Sequence, residues 1–473
     1  MSNGTPSQFQ FGGDVAIMGG SFHHQTSISA IEPGFERLQK RVAASAMHDS
    51  GESFEKPKCH ENTRVAVLAQ LTDWILGSIE QDKPIMWLYG DAGAGKSAIV
   101  QTLALRFSSA GHLLASFAFS RNDATRATHT PLVPTIAYQI GTAVPDLRSL
   151  IGAAVERDPM LFEKSLEVQF TALVIKPIND LSSRPGFVPN SIPYLIIIDG
   201  LDECSDPRIQ IRVLEVVSDA IQQCSVHLKV LIASRPQVDI KGLFDYDPLD
   251  LLSTRLALDG SFKPDNDIRL VFVEAFREIK AKHRCKRSIP SSWPGENPLR
   301  QLVSRASGQF IYVSTVVEYV SSPRHHPVER LNIILGIQPR HSDRDLPFSR
   351  LDAIYTYIFY AIPEENIEVV LNILAFNMYG FRKPYVKDLD LVFSVLSLDV
   401  SKVELYLGDL SAVLKWTTFS SGKLRELHFT HASLYDFLSD KGRSRQFHID
   451  KPTCLSKLAC FCLDRLKQRQ KTR

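Results

Sequence analysis

The chain has 473 residues, of which 44% are hydrophobic and 9% aromatic, so it can form several folded domains and is too apolar to be disordered. Its 54 Lys and Arg nearly balance 52 Asp and Glu, which gives no overall attraction to nucleic acid or to an acidic membrane. Seven scattered cysteines, the lack of a basic and apolar leader, and apolar runs shorter than the ~20 residues that span a bilayer predict a soluble cytoplasmic protein.

The N-terminal residues 1–57 are rich in Gly, Ser, Gln and His and predict a flexible segment. Its stretch FGGDVAIMGG is β-prone and uncharged in the middle, which also fits a signalling or self-pairing segment. From Cys59 the pattern changes, and apolar residues at 65, 68, 71, 75 and 79 predict an amphipathic helix.

Residues 58–245 alternate apolar runs with amphipathic stretches. The runs PIMWLYG, HLLASFAFS, PYLIIID and VHLKVLIASRP predict four strands, and SAIVQTLALRF and RIQIRVLEVVSDAIQQC predict two of the helices between them. Continuously apolar strands that alternate with helices are typical of a parallel sheet covered on both faces. We therefore predict an α/β domain over this range.

The segment GDAGAGKS fits the pattern G-x-x-x-x-G-K-[ST] of a phosphate-binding loop. It follows a predicted strand and opens a predicted helix, which is the context that the pattern requires. Backbone N–H groups of such a loop point at phosphate oxygens, and the lysine reaches the β- and γ-phosphates. The predicted nucleotide-binding residues are Gly90, Asp91, Gly93, Ala94, Gly95, Lys96, Ser97 and Ala98.

A cluster of carboxylates ends the apolar run PYLIIIDGLDECSD. Acids packed this tightly repel one another unless a cation lies among them. We predict that Asp199 and the hydroxyl of Ser97 bind Mg²⁺. Glu203 is the candidate that orients or deprotonates the attacking water, with Asp202 as an auxiliary. At the end of the run VLIASRP, Arg235 is the candidate sensor of the γ-phosphate.

The remaining sequence is mostly helical. It predicts a small helical domain over 246–345, a winged-helix domain over 346–445, and a C-terminal helix with a basic tail over 446–473. The winged-helix prediction rests on two strand-like runs that flank SSGK and on a helix from about Ala432.

Together, GDAGAGKS, LIIIDGLDEC and LIASRP resemble the motifs of the NACHT family, P-loop NTPases of the STAND class, and in particular its fungal NOD-like receptor type and nephrocystin-like branch. The resemblance spans about 57–450. It implies a switch in signal transduction, here in fungal innate immunity, in which an α/β, a helical and a winged-helix domain enclose ATP or ADP. The ADP form is closed, and the ATP form opens and self-assembles into a homo-oligomer with further signalling partners.

The resemblance also assigns residues around the nucleotide. The segment HFTHASLYDFL resembles the winged-helix histidine motif of the family, which places His431 near the bound diphosphate. Gly308 and Phe310 lie where relatives carry a glycine–proline turn near adenine. Cys59, His60 and Arg64 lie in the segment that flanks the base.

Three functions remain open at this point. The first is an ATP/ADP-gated switch with slow hydrolysis. The second is a constitutive P-loop NTPase or kinase-like enzyme, although no second signature for a phosphate acceptor is present. The third is a winged-helix regulator that binds nucleic acid through six basic residues. Those charges are interleaved with acids, which favours a solvated face. The six are Lys415, Lys423, Arg425, Lys441, Arg443 and Arg445.

Overall fold

The computed structural model describes two connected halves, an α/β half and a helical half with a β-hairpin. The described residues are 33–51, 57–78, 83–121, 123–188, 194–336, 348–379, 392–393, 396, 398, 402, 406–410, 412–418 and 424–471. The predicted turn SSGK and the segment FGGDVAIMGG lie outside them. None of the described helices is both long enough and apolar enough to cross a bilayer.

Five strands of the first half form one parallel sheet in the order β2-β3-β4-β1-β5. Four of them are the predicted strands. The fifth lies beyond the boundary that we predicted at residue 245, and its parallel pairing with β1 extends the α/β half to Ala257. The strands are β1 (Ile85–Tyr89), β2 (Leu113–Ala118), β3 (Leu195–Asp199), β4 (Lys229–Ser234) and β5 (Ser253–Ala257).

Helices cover both faces of this sheet, and two separate apolar clusters fill the space on either side. The residues of β1, β3 and β4 are nearly all buried, which explains their continuous apolar runs. The helices are α1 (Pro33–Gln39), α2 (Val65–Ile75), α3 (Lys96–Ser109), α4 (Leu132–Ala143), α5 (Pro145–Arg157), α6 (Leu166–Phe170), α7 (Lys176–Ser182), α8 (Pro207–Gln223), α9 (Val238–Phe244) and α10 (Leu249–Leu252).

Helix α1 belongs to the α/β half, so the prediction of a flexible segment up to residue 57 is wrong for the described residues 33–51. Phe35 and Leu38 are buried in the same core as the sheet. Helix α1 crosses α5 so closely that a Cβ at Gly34 would lie 2.0 Å from the carbonyl oxygen of Gly152. Glycine at this crossing lets the two backbones touch, and α1 is thereby fixed on the domain.

The second half packs around one continuous apolar core that runs from α11 to α19. Strands β6 and β7 pair antiparallel, and a helix follows from Ala432, as predicted for the winged-helix region. The elements are α11 (Pro264–Lys282), α12 (Glu296–Ala306), α13 (Phe310–Val320), α14 (Pro327–Gly336), α15 (Ser349–Tyr360), α16 (Glu364–Tyr379), β6 (Leu414–Thr418), β7 (Leu424–Phe429), α17 (Ala432–Ser439), α18 (Lys441–Ser444) and α19 (Lys451–Lys471).

The predicted fold class, an α/β P-loop domain followed by a helical part, is confirmed. Strand β4 lies between β1 and β3, so the acidic strand is not the direct neighbour of the strand that leads into the phosphate loop. A hydrogen bond from Trp87 Nε1 to Ser234 Oγ (2.9 Å) ties β1 to β4. The carboxyl ends of β1, β4 and β3 therefore meet at one edge of the sheet, where ligands of open α/β sheets bind.

Candidate functional site

The phosphate loop connects β1 to α3 and has the backbone geometry that its glycines predict. Gly93 and Gly95 adopt positive φ angles of 78° and 91°, a region that L-residues with side chains rarely enter. Lys96 begins α3, and its Nζ donates hydrogen bonds to the carbonyl oxygens of Gly90 (2.8 Å) and Asp91 (2.9 Å). The lysine thereby folds back over its own loop.

Burial lowers the pKa of Lys96, and the charge of Arg235 acts in the same direction. The carboxylates of Asp202, Asp199 and Glu203 oppose this shift. One ammonium thus lies within the field of all three predicted acids and of the predicted sensor. The loop and the strand ends form a single electrostatic site.

The N-terminus of α13 sits on the phosphate loop. The N–H of Phe310 donates to the carbonyl oxygen of Gly93 at 2.8 Å. A Cβ at Gly93 would lie 2.1 Å from Cγ2 of Ile311, which is far too close for two carbon atoms that are not bonded to each other. The segment that we placed near the base by resemblance is therefore in direct contact with the loop.

Arg64, also from a segment that we placed near the base by resemblance, reaches the same loop. Its Nη2 donates to the carbonyl oxygen of Ala94 (2.6 Å), and its guanidinium lies 4.5 Å from the ring centroid of Phe310. Its backbone N–H donates to Oδ2 of Asp267 (2.9 Å). Burial lowers the pKa of Arg64, and Nε and Nη1 have no hydrogen-bond partner among the described residues. Two buried donors thus remain beside the phosphate loop.

Asp199 lies at the end of β3 with its carboxylate buried. Burial raises the pKa of Asp199, while the hydroxyl of Ser97 and the charge of Lys96 lower it. Within the described part of the chain, its Oδ1 has no hydrogen-bond partner. A buried carboxylate oxygen without a partner, next to a serine hydroxyl, fits a hard cation such as Mg²⁺.

Ser97 and Asp199 would supply two protein ligands to such a cation. Among the described residues, no group of three or more His, Cys, Asp and Glu side chains could hold a metal ion. Two protein ligands suit Mg²⁺, which keeps several waters and takes further oxygens from phosphates. They do not suit a closed zinc site.

Asp202 is fully engaged by the predicted sensor. Its Oδ1 accepts a hydrogen bond from the backbone N–H of Arg235 (3.0 Å), and its Oδ2 lies 3.2 Å from Nε of that arginine. The side chain of Asp202 is only 3% exposed. Its geometry favours the positioning of Arg235 over the auxiliary catalytic role that we predicted.

Glu203 has a different environment from Asp202. Its Oε2 accepts a hydrogen bond from the backbone N–H of Arg121 (3.2 Å). Burial and the neighbouring charge of Asp202 raise the pKa of Glu203 to about 7. A carboxylate that exchanges its proton near neutral pH is suited to act as a general base.

Two side chains at this site were missed from the sequence. Arg121 follows β2, and Asp436 lies on α17, and the two form an ion pair with 3.2 Å between Nη1 and Oδ1. Arg235 Nη1 lies 2.7 Å from Oδ2 of the same Asp436. The position of Arg121 just after a buried strand was the available signal, because the carboxyl ends of parallel strands meet at one edge.

His431 caps the N-terminus of α17. Its Nδ1 accepts a hydrogen bond from the backbone N–H of Ser433 (3.0 Å). Burial and the charges of Arg235 and Lys96 lower the pKa of His431 to about 4. The imidazole is therefore neutral near pH 7, and its proton is on Nε2, which makes this nitrogen a donor.

The structure thus brings the predicted site residues from the phosphate loop, the strand ends and α17 to one edge of the sheet. Asp91 and Ser97 are exposed there, and Ala92 and Ala94 are buried beneath the loop. Ala98 lies in the first turn of α3, where its carbonyl oxygen accepts a hydrogen bond from Thr102 Oγ1 (2.7 Å).

Comparison with known proteins bears on the α/β half. Residues 67–235 match the family described as Nephrocystin 3, N-terminal, a range that covers the phosphate loop, the acidic strand and Arg235. The match spans well under half of the chain. No curated protein sequence matches the chain significantly.

Several solved structures resemble the chain at low identity. The Aeropyrum pernix ORC1 protein in complex with DNA is 15% identical, with 81% of this chain and 94% of that chain covered and a TM-score of 0.33. The Aeropyrum pernix ORC2 protein with ADPNP and ADP is 11% identical, with 88% and 97% covered and a TM-score of 0.34. Drosophila ORC bound to DNA is 12% identical, with 82% and 97% covered and a TM-score of 0.34. The fold of residues 85–257, a five-stranded parallel sheet with a phosphate loop after β1, is that of a P-loop NTPase.

Proposed function

We propose that this chain is an ATP/ADP-binding switch of the NACHT type, in which the nucleotide controls the docking of the C-terminal half on the α/β half. One observation carries the proposal. Asp436 of α17 lies 2.7 Å from Arg235, and His431 at the N-terminus of α17 lies in the field of Arg235 and Lys96, the two cations that we propose to bind phosphate. A constitutive enzyme needs no such contact from a second domain.

The residues suit a nucleoside triphosphate with Mg²⁺. The N–H groups of the phosphate loop and Lys96 bind the β- and γ-phosphates, and Nε2–H of His431 donates toward the diphosphate. Ser97 and Asp199 would hold the metal ion. Bound Mg²⁺ neutralises charge that develops on the phosphates.

In this proposal, the acidic residues after β3 promote hydrolysis of the triphosphate. Glu203 orients the attacking water and takes its proton, because the pKa of about 7 leaves the carboxylate available near neutral pH. Arg235 contacts the γ-phosphate once it is free of Asp436. Since this arginine is held by two carboxylates, we expect slow turnover, below the ~1 s⁻¹ of ordinary enzymes.

Nucleotide binding is tested by calorimetric titration of purified protein with ADP and ATP in Mg²⁺. Lys96→Ala should abolish binding, and Lys241→Ala, an exposed lysine on α9, should leave it unchanged. Retained binding in Lys96→Ala would refute the proposed site. Fast turnover without a trigger would instead support a constitutive enzyme.

The nucleotide-dependent assembly step is tested by measuring the molecular mass of the protein in solution. Light scattering after gel filtration should give a monomer with ADP and a larger species with a non-hydrolysable ATP analogue. A homo-oligomer in the ATP form and a cytoplasmic location in a signalling pathway are part of the proposal. Equal sizes in both nucleotides would contradict the assembly step.

A nucleic-acid function receives less support from the described residues. Lys415 lies 3.1 Å from Glu318, and Arg443 lies 2.7 Å from Asp352, so two of the six basic residues are held in ion pairs. Paired cations contribute little to the counterion release that drives binding to phosphate backbones.

A further inference from the structure

The contact between α17 and the strand ends is made by one carboxylate between two guanidinium groups. Asp436 gives Oδ1 to Arg121 Nη1 (3.2 Å) and Oδ2 to Arg235 Nη1 (2.7 Å). The side chains are 15%, 28% and 24% exposed, in the order Asp436, Arg121 and Arg235. Half-buried charge-assisted pairs of this kind are stronger than surface pairs.

The same two arginines also hold the acidic turn after β3. Arg235 contacts both oxygens of the Asp202 carboxylate, and Arg121 Nη2 donates to the Asp202 carbonyl oxygen at 3.1 Å. The backbone N–H of Arg121 holds Glu203. Asp436 is thus connected to both acidic residues through two arginines.

Asp436 is presented by a rigid support. Leu434, Phe437 and Leu438 are fully buried in the core of the C-terminal half, and Ser433 Oγ lies 2.8 Å from Tyr355 Oη. The ring of Tyr435, next to Asp436, lies 5.8 Å from the guanidinium of Arg121. The carboxylate therefore moves with α17 as a whole and leaves the arginines only if the C-terminal half undocks.

A carboxylate that bridges two guanidiniums has the sign of charge and the separate acceptor oxygens that a phosphate group would also offer. We propose that Asp436 competes with the terminal phosphate of ATP for Arg235, and that Arg121 is a positioning residue that anchors Asp436 in this competition. The inference rests on the proposed function of the site. It identifies the element that favours the diphosphate, because ADP has no γ-phosphate to displace Asp436.

Asp352 provides a matched control. It pairs with Arg443 at 2.7 Å inside the C-terminal half, and the two side chains are 14% and 17% exposed. Asp352→Asn therefore removes an ion pair that includes neither Arg121 nor Arg235. Any loss of general stability should be similar in Asp352→Asn and Asp436→Asn.

The test is the ratio of the dissociation constants for ADP and adenylyl imidodiphosphate, measured with Mg²⁺ on the full chain. Asp436→Asn should shift this ratio toward the ATP analogue by about tenfold, and Arg121→Gln should shift it in the same direction by about threefold. Asp436→Glu should stay close to the wild type because it keeps the carboxylate. Asp352→Asn should leave the ratio unchanged.

The outcomes separate the two proposals. If the wild type binds both nucleotides and the ratio stays constant in Asp436→Asn and Arg121→Gln, the competition is refuted while the nucleotide site stands. An equal shift in Asp352→Asn would refute it as well. If neither nucleotide binds to the wild type, the proposed function itself fails. Should Asp436→Asn not fold, Arg121→Gln decides alone, since it leaves Asp436 and Arg235 in place.

Discussion

Among the contacts that join the C-terminal half to the nucleotide edge of the sheet, two differ clearly in chemistry. Helix α13 meets the phosphate loop through backbone and apolar atoms, with Ile311 against Gly93 and the Phe310 N–H on the Gly93 carbonyl. Helix α17 meets the strand ends through charges, with Asp436 between Arg121 and Arg235.

The difference assigns each contact a role. Apolar packing is short-ranged and depends little on pH and salt, so we expect α13 to act as a fixed hinge on the loop in the proposed switch. A charge contact depends on what else carries charge nearby, so α17 can be released by an anion without disturbing the hinge. In the proposed switch, the C-terminal half would stay fixed at α13 and rotate about it once α17 is released.

The largest expected effect on stability comes from disrupting the contact between α13 and the phosphate loop. Gly93→Ala places a Cβ 2.1 Å from Ile311 Cγ2 on a backbone with a φ of 78°. Overpacking and the positive φ together should lower the free energy of unfolding by about 3 kcal/mol or more. Urea unfolding of nucleotide-free protein measures this loss.

Gly242→Ala is the control for that measurement. Gly242 lies within α9, and a Cβ there meets no atom within 4 Å. Alanine at this position should be neutral or stabilising by roughly 0.5–1 kcal/mol. Equal stability of Gly93→Ala and the wild type would show that α13 is not fixed on the loop.

Local patterns predicted the strands and the phosphate loop because their signals lie within a few residues. Buried strands read as apolar runs, and the loop needs glycines at set positions. Strand β5 was missed because STRLA is polar, as an edge strand can be when one side faces no neighbour. The carboxylates after β3 were found because they cluster in the sequence.

The partners of the charge contact could not be predicted in this way. Arg121 and Asp436 are 315 residues apart, and Arg64 and Asp267 are 203 apart. A single charged residue in an ordinary stretch carries no sign of a partner at such a separation. Only the packing of the two halves brings these side chains together.

The dependence of the free energy of unfolding on pH tests the charge contact of α17 separately from the packing of α13. The pKa of His431 is held at about 4 in the folded protein and is about 6.5 when unfolded. Between these values the unfolded chain binds a proton and the folded chain does not. Stability is therefore present above pH 6.5 and is lost as the pH falls toward 4.

The measurement compares urea unfolding at pH 7 and pH 5. The wild type should lose at most about 2 kcal/mol more than His431→Gln over this interval. His227→Gln, on the surface between α8 and β4, serves as the control. An identical loss in wild type and His431→Gln would show that the imidazole is not buried among the site cations.

Removing the charge of Asp199 at the end of β3 should have a smaller effect on the free energy of unfolding, and this effect should be stabilising. Burial raises the pKa of Asp199, so its charge costs stability in nucleotide-free protein above its ordinary pKa. Asp199→Asn should raise the free energy of unfolding at pH 7 by about 1 kcal/mol, while Mg²⁺-dependent nucleotide binding is lost. Asp239→Asn, which is exposed on α9, should change neither quantity by much. A less stable Asp199→Asn would argue against an uncompensated charge at this position.

The smallest effect, and the most direct comparison of the two contacts, is their response to salt. Raising NaCl from ~0.1 to ~0.5 M shortens the screening length from about 10 Å to about half of that. The partly buried ion pairs of Asp436 should weaken by less than ~1 kcal/mol, and the packing of α13 should not weaken. Hydrogen exchange of peptides covering 430–436 and 308–314 reports on the two contacts separately, because the first turn of a helix depends on caps and neighbours. Exchange over 430–436 should rise about two- to fivefold, and exchange over 308–314 should stay constant.

In Asp436→Asn the salt response of 430–436 should vanish. If salt raises exchange over both peptides by the same factor in the wild type, the two contacts open together. In that case α13 does not stay fixed while α17 is released.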